Sequence, residues 1–429
     1  MNIVILSYRI SGNDGVSLEC KHWAKILRRM GHRVSFVAGE LDVEGELIPH
    51  LHFQWPNVVE IHDKVVYGKS KFKEIEEEIF DIAGTIEGKL RKYLQKKKID
   101  LLILANTFSL PMHFPLAVAL KRIIEEYQIP TIAKHYDFWW ERQRFLKSRL
   151  FPFFKKWYPP NLSVIRHVVI NSRAQKELKK RCGIEAVISH DSFDFTNESM
   201  AKTDSYVKSF RRDFGLTPKD IVFLQSTRII PRKRIELSIK LLQKLANPNA
   251  VLLIVGKSGD EGKEYEAKIR TLAEQSGIRF MFIGDRVGSR RKLIQVANGH
   301  EPKNYKIYTL WDCYKNADFV TYTPEIEGFG NNFIEAIYFR KPVVLTEYPV
   351  YKDDIAPLKL QVIEMTPKIG YSTVRHINKL IKNGELITDM VNYNFEIGKR
   401  EFSYEHTANI LEQLILSFKF DDRLSNSSF

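Results

Sequence analysis

Two glutamates eight positions apart, Glu327 and Glu335, bracket Gly328 and Gly330 in the segment EGFGNNFIEA. Before it, NADFVTYTP has the apolar run of a buried strand, and after it NFIEAIYF has helical spacing, so the glycines fall where a strand hands over to a helix. Backbone amides at such a helix start point outward and favour a phosphate. Glu327 on the loop and Glu335 on the first turns could then hold two hydroxyl-bearing parts of one ligand. The plain alternative is a helix start with an exposed Glu on either side.

Earlier in the chain, STRIIPRKRIELS puts Arg228 and Lys233 at another strand end, separated by a Pro231 turn and followed by a helix. An Arg fork and a Lys point charge beside a helix N-terminus suit a diphosphate. Arg228 directly follows the apolar strand and is expected to face a ligand, whereas Arg232 and Arg234 are expected on solvated surface. In SYRISGNDGVSLE, Gly12 and Gly15 flank Asn13 and Asp14 before a helix. This permits close approach of a phosphate or sugar, or is simply a turn with a helix cap; the GxGxxG fingerprint is absent.

AKHYDFWWERQR places His135 and Asp137 at a strand's carboxyl end, where either could meet a sugar hydroxyl or accept a proton. Trp139 and Trp140 could stack on a sugar or pack in the core. Directly afterwards, Arg144, Lys147, Arg149, Lys155 and Lys156 interleave with Phe145, Leu150, Phe151, Phe153, Phe154 and Trp157. Such a segment could rest on an anionic membrane, cover a pocket as a lid, or pack on its own domain. Membrane contact is not the favoured reading.

These groups need elements to hold them. Strand-like apolar runs alternate with helical patterns along nearly the whole chain, the signature of parallel α/β architecture. NIVILSY, RVSFVAG, DLLILAN, TIAKHYD and VIRHVVINS read as strands of a first half, and IVFLQST, AVLLIVG, RFMFIG, ADFVTYT and PVVLTE as strands of a second. The polar stretch SFDFTNESMAKTDSYVKSFRRDFGLTPKD between them is the expected linker. The 429 residues exceed one ordinary core. A formal net charge of +14 favours an anionic partner, but no nucleic-acid motif accompanies it. The three cysteines are widely spaced and form no metal cluster, and MNIVILSYRI lacks the basic start and long apolar run of a signal peptide. A cytoplasmic protein is expected. There is no Asp-x-Asp pair for a divalent cation, so no metal should be required and no cofactor is expected to be tightly bound.

Taken in this order, the motifs resemble the retaining glycosyltransferases of family 4. The resemblance runs over nearly the whole chain and is strongest from Val222 to Ile355. It implies an α/β protein of the GT-B fold: two Rossmann-like, doubly wound parallel-sheet domains facing a cleft. The expected boundaries are 1–194 for an acceptor-side domain, 195–404 for a nucleotide-sugar domain, and 405–429 for a C-terminal helix returning to the first domain before a disordered tail. The family's paired glutamates match Glu327, facing the donor hexose, and Glu335, binding the ribose. Its basic pair on the pyrophosphate matches Arg228 and Lys233, and its cleft histidine matches His135.

The resemblance thus implies catalytic roles for His135, Arg228, Lys233 and Glu327. Donor contacts would come from Gly12, Gly15, Arg228, Lys233, Glu327, Gly328, Phe329, Gly330, Asn331 and Glu335, and acceptor contacts from Asn13, Asp14, His135, Asp137 and Trp139. Departures are Thr227 for the usual Gly before the Arg, Arg340 for the Gly before the next strand's Pro, and His190-Asp191 for a Pro-Asn pair at the crossover. The segments SYRISGNDGVSLE and HYDFWWER resemble members acting on soluble acceptors, and the implied reaction moves mannose from GDP-mannose to glucosylglycerate, an anionic acceptor. A lipid-linked or lipopolysaccharide-type acceptor, a sugar-nucleotide epimerase and a non-catalytic sugar-nucleotide sensor are the alternatives.

Overall fold

The computed structural model describes residues 1–12, 14–68, 72–258, 262–298 and 301–426. It comprises two compact units, Met1–Ser192 with Tyr404–Phe429, and Phe193–Ser403.

In the first unit, β1 (Asn2–Ser7), α1 (Gly15–Arg29), β2 (Arg33–Ala38), β3 (Glu46–Leu47), α2 (Pro56–Val66), α3 (Phe72–Lys97) and β4 (Leu101–Ala105) come first. Then follow α4 (Phe114–Tyr127), β5 (Thr131–His135), α5 (Phe151–Trp157), β6 (Ile165–Val169), α6 (Ser172–Cys182) and β7 (Ala186–Ile188). The strands form one parallel sheet in the order β3-β2-β1-β4-β5-β6-β7. Successive strand residues point to opposite faces. Val4, Leu6, Leu102 and Leu104 enter the core shared with α2 to α5, while Ile3, Ile5, Leu101 and Ile103 enter the core shared with α1. Covering on both faces is why these strands read as continuous apolar runs.

One buried position on the α1 face is ionic. The side chains of Lys134 on β5 and Glu19 on α1 are 2% and 1% exposed and lie 3.2 Å apart. Asp191 is buried beside them, and its Oδ1 finds no hydrogen-bond partner among the described residues. Burial and the Glu19 charge push Asp191 up to about 7. A carboxyl raised in the folded state contributes least below its unfolded pKa and costs stability progressively as pH rises toward the folded value. Asp191→Asn should therefore raise the melting temperature increasingly from pH 5 to pH 8, by a gain of roughly 2–4 kcal/mol at the upper end. Melting curves with the same gain at both pH values would count against this assignment.

The second unit runs through α7 (Ser205–Lys208), α8 (Phe210–Asp213), β8 (Ile221–Gln225), α9 (Ile235–Leu245), β9 (Ala250–Ile254), α10 (Lys263–Gln275) and β10 (Arg279–Phe282). A two-stranded antiparallel hairpin, β11 (Lys292–Asn298) and β12 (Glu301–Ile307), follows. After it come α11 (Leu310–Asn316), β13 (Phe319–Tyr322), α12 (Asn331–Tyr338), β14 (Val343–Thr346), β15 (Ile363–Met365), α13 (Tyr371–Ile381) and α14 (Gly384–Phe402). Its parallel sheet has the order β10-β9-β8-β13-β14-β15. Again two cores flank it: Val222, Leu224 and Val320 face α11, α12 and α14, while Phe223, Leu252 and Phe319 face α9, α10 and α13. The last helix, α15 (Tyr404–Asn426), belongs to the first unit, where Tyr404, Leu411 and Leu414 share the core of α1.

The stretch expected as a linker is folded. Phe193, Phe195, Phe210 and Leu216 lie in the core of the second unit, and α7 and α8 form within the same run. Its many polar residues disguised a spaced set of aromatic anchors.

Candidate active site

The strand order of the second unit reverses between β8 and β13, and ligands of open parallel sheets bind beyond the strand ends at such a reversal. The loop after β8 carries Arg228 and Lys233, and the loop after β13 carries Glu327, Gly328 and Gly330. Arg228 is exposed between buried Thr227 and Ile229, so its charge leaves the strand end for solvent. Gly256 makes this possible: a Cβ there would overlap Thr227 O.

Lys233 is nearly buried, with its ammonium against the Glu327 carboxylate. Arg232 Nη1 approaches Glu327 Oε2 at 2.9 Å and donates to Ile326 O at 3.1 Å. Burial, then the Arg232 and Arg228 charges, push the Lys233 ammonium below its ordinary value. The Glu327 carboxylate beside it opposes that shift. Arg234, in a left-handed conformation with φ 46°, donates to Thr323 O at 3.3 Å, Pro324 O at 2.8 Å and Thr346 Oγ1 at 3.0 Å. Neither Arg232 nor Arg234 is a solvated bystander, contrary to the expectation from sequence. Their neighbours are main-chain carbonyls after β13, which no sequence pattern displays.

Glu335 is 7% exposed on α12, and its Oε2 accepts from Tyr314 OH at 2.9 Å and Asn332 Nδ2 at 3.0 Å. Tyr314 OH also lies 2.9 Å from Ser226 Oγ, which joins the end of β8 to α12. Tyr314 was not singled out in the sequence because α11 reads as an ordinary amphipathic segment. Gly330 caps α12 with φ 134°, and Asn331 is the first helical residue. Gly328 is exposed. The Phe329 ring is 1% exposed, in the core 5.3 Å from the Phe402 ring, so its main chain is what borders the loop.

In the first unit, Asp14 is the N-cap of α1. It accepts from Ser17 N at 3.1 Å, Ser17 Oγ at 2.7 Å and Arg9 Nη2 at 3.1 Å. Capping therefore engages both of its carboxylate oxygens. Gly12, at φ 74°, donates its N–H to Asp42 Oδ2 at 2.9 Å, and Lys21 Nζ lies 2.7 Å from Asp42 Oδ1. The Gly12 amide is thus turned to an internal carboxylate. Gly15 opens the helix, and Asn13 lies outside the described residues.

His135 ends β5. It is 1% exposed, its Nε2 lies 2.9 Å from His167 Nδ1, and burial holds it well below the usual imidazole range, so it is neutral and enclosed. Trp139, partly buried, packs 4.7 Å from Phe154 and gives Nε1–H to Tyr158 O at 3.1 Å. Asp137 accepts from Arg142 at 2.9 Å. The basic aromatic segment packs on its own unit: Phe145, Leu150, Phe153, Phe154 and Trp157 are buried. Arg149 donates to Val65 O and Gly68 O, each at 2.7 Å, and Lys147 reaches Val66 O, so both cations close the carboxyl end of α2. Of the large apolar residues here, Leu146 and Phe151 are exposed.

Sequence comparison ties this geometry to known proteins. A mannosylglucosylglycerate synthase of Thermotoga maritima is 32% identical over 97% of this chain and 100% of its own length. The chain is a group 1 glycosyltransferase. The glycosyl transferases group 1 family matches residues 207–296 and 302–396, and a mannosylglucosylglycerate synthase of Petrotoga mobilis is 32% identical over 86% of this chain and 88% of its own. Among solved structures, a glycosyltransferase from Rickettsia africae superposes with a TM-score of 0.66 at 13% identity, covering 96% of this chain and 97% of its own. A sucrose-phosphate synthase from Thermosynechococcus elongatus gives 0.67 at 13% identity, over 98% and 99% of the two chains.

The glycosyltransferase has the GT-B fold expected from its sequence, with two parallel-sheet α/β units. Its match to the family is interrupted at residues 297–301. No described helix is long and apolar enough to cross a membrane. Among the described residues, no three His, Cys, Asp or Glu side chains gather as a metal site.

Proposed function

We propose that this glycosyltransferase moves mannose, with retention of configuration, from GDP-mannose to a hydroxyl of glucosylglycerate, as a member of the retaining family 4 enzymes. The observation that carries the donor half is the pairing of Arg232 and Lys233 with Glu327, with the Arg228 charge acting on Lys233, at the β8–β13 reversal. Even with the Lys233 ammonium pushed down, Arg228 and Arg232 outweigh one carboxylate and leave positive charge for a diphosphate. Glu327 then turns to the hexose and Glu335 to the ribose, its carboxylate oriented by Tyr314 and Asn332. The acceptor follows from the shared name of the two relatives matched over most of the chain.

In this scheme the bond from the anomeric carbon to the β-phosphate oxygen breaks and the bond to the acceptor oxygen forms on the same face. The acceptor's proton passes to the departing phosphate. No protein carboxylate becomes covalently attached. Arg228 and Lys233 act where charge accumulates, the preorganised electrostatics that dominate such barriers. That neutralisation makes a divalent cation unnecessary.

The test is incubation with GDP-mannose and glucosylglycerate in the presence of a chelator, with products read by mass and anomeric configuration by NMR. A product heavier by one hexose with an α-linkage is expected. No product with this pair, alongside turnover of another nucleotide sugar or acceptor, would replace the assignment.

A further inference from the structure

Of the residues favoured by sequence for acceptor contact, Asp14 caps α1, His135 is buried and Trp139 packs against Phe154. The strand reversal of the first unit, between β1 and β4, presents a different set.

Arg9 lies two residues beyond β1. Its guanidinium lies 5.9 Å from the centre of the Phe53 ring, its side chain is 37% exposed, and it gives one N–H to Asp14. The remaining N–H groups of this five-donor fork make no hydrogen bond among the described residues. An Arg resting on an aromatic face is held in place, so less freedom is lost when it grips a second carboxylate.

Hydroxyl-binding groups stand around it. The loop of Arg9 is tied to the loop after β2 by Ile10 N–H donating to Glu40 O at 2.9 Å. Glu40, half exposed, lies 3.3 Å from His52 Nε2. His52 stacks on Phe53 at 4.6 Å, and its Nδ1 accepts Gln54 N–H at 3.1 Å, which leaves the ring proton on Nε2. Across the reversal, Thr107 after β4 is fully buried with Oγ1 unpartnered among the described residues. Tyr8 OH fixes this loop by donating to Leu110 O at 2.8 Å. Asn106, in a left-handed conformation at φ 64°, braces it further by accepting from Ser109 Oγ at 2.8 Å and Tyr136 N at 3.1 Å.

We infer that Arg9 is the carboxylate anchor of a sugar-acid acceptor, with Glu40 and His52 receiving its hydroxyls. The inference rests on the anionic-acceptor reading above and names the residue that reads the charge. Arg9 binds substrate and has no part in bond making.

The test compares glucosylglycerate with its neutral analogue glucosylglycerol in wild type, Arg9→Gln and Arg9→Lys. Wild type should prefer the acid. Arg9→Gln should raise KM for the acid ~10–100-fold, as expected for loss of a charge-assisted fork, and bring it level with the neutral analogue. Its kcat and KM for the donor should change little, and Arg9→Lys should recover part of the preference. Because Asp14 keeps both Ser17 contacts, the helix cap survives the change, and an unaltered donor KM checks that it does. An unchanged acid preference in Arg9→Gln would overturn the inference while leaving mannosyl transfer intact. Wild type that turns over neither compound would overturn the acceptor reading; calorimetric titration with glucosylglycerate then decides Arg9. Binding lost in Arg9→Gln keeps the carboxylate anchor, and no binding to wild type removes it.

Discussion

Arg228→Ala should fold normally and lower turnover by ~10²–10³, the loss typical of one preorganised electrostatic donor. Folding is spared because Arg228 is exposed and its side chain takes no part in the sheet core. Under the proposed donor placement catalysis is not spared, because the bond to the leaving phosphate would break with charge moving onto oxygen beside this guanidinium. The loss should appear in kcat more than in the donor KM, since a contact that strengthens as charge develops acts on the transition state. Steady-state kinetics with matched melting curves check it. Near-normal turnover in a folded variant would remove Arg228 from the chemistry.

Gly330→Ala should be damaging in a different way, with a cost of roughly 3–5 kcal/mol and a fall in the melting temperature of the second unit on the order of 10 °C. Gly330 has φ 134°, and a Cβ there would lie 2.7 Å from Tyr322 OH and 3.1 Å from Tyr348 OH. Both tyrosines are buried, and Tyr348 holds Phe329 O at 2.7 Å, so its ring cannot retreat without releasing the loop that carries Glu327. Gly12→Ala provides the contrast. Gly12 also has positive φ, 74°, but nothing lies within 4 Å of its added Cβ, so only the backbone cost of about 1 kcal/mol is expected. Equal destabilisation by the two changes would show that the tyrosine pair does not constrain the loop.

Much of the fold was legible because buried parallel strands declare themselves. Runs such as LLILA and AVLLI are apolar throughout, since each side chain finds a covered face. The loops carrying Arg228 and Glu327 were legible too, as polar residues placed directly after such runs. What stayed hidden depends on contacts across the fold. Arg232 reads as solvated until the carbonyl of Ile326 and the carboxylate of Glu327 are brought to it. His135 reads as a strand-end histidine until His167 of the neighbouring strand encloses it. Asp14 supported two readings, and the local geometry of α1 resolves its engagement in favour of capping. The run from residue 192 to 220 was misjudged because composition averages over the few aromatic residues that anchor it.

The carboxylate of Glu327, lodged between Lys233 and Arg232, offsets part of their charge. A phosphate group that reaches these cations must compete with an anion already present, which weakens singly charged ligands more than a diphosphate. The same arrangement works in reverse after the sugar has gone. Returning to its two cations, Glu327 competes with the spent nucleotide and shortens its stay. A side chain that steadies the resting enzyme would thus also help it clear its product. Glu327→Gln, which removes that competition, should make the nucleoside diphosphate a tighter inhibitor even as turnover falls.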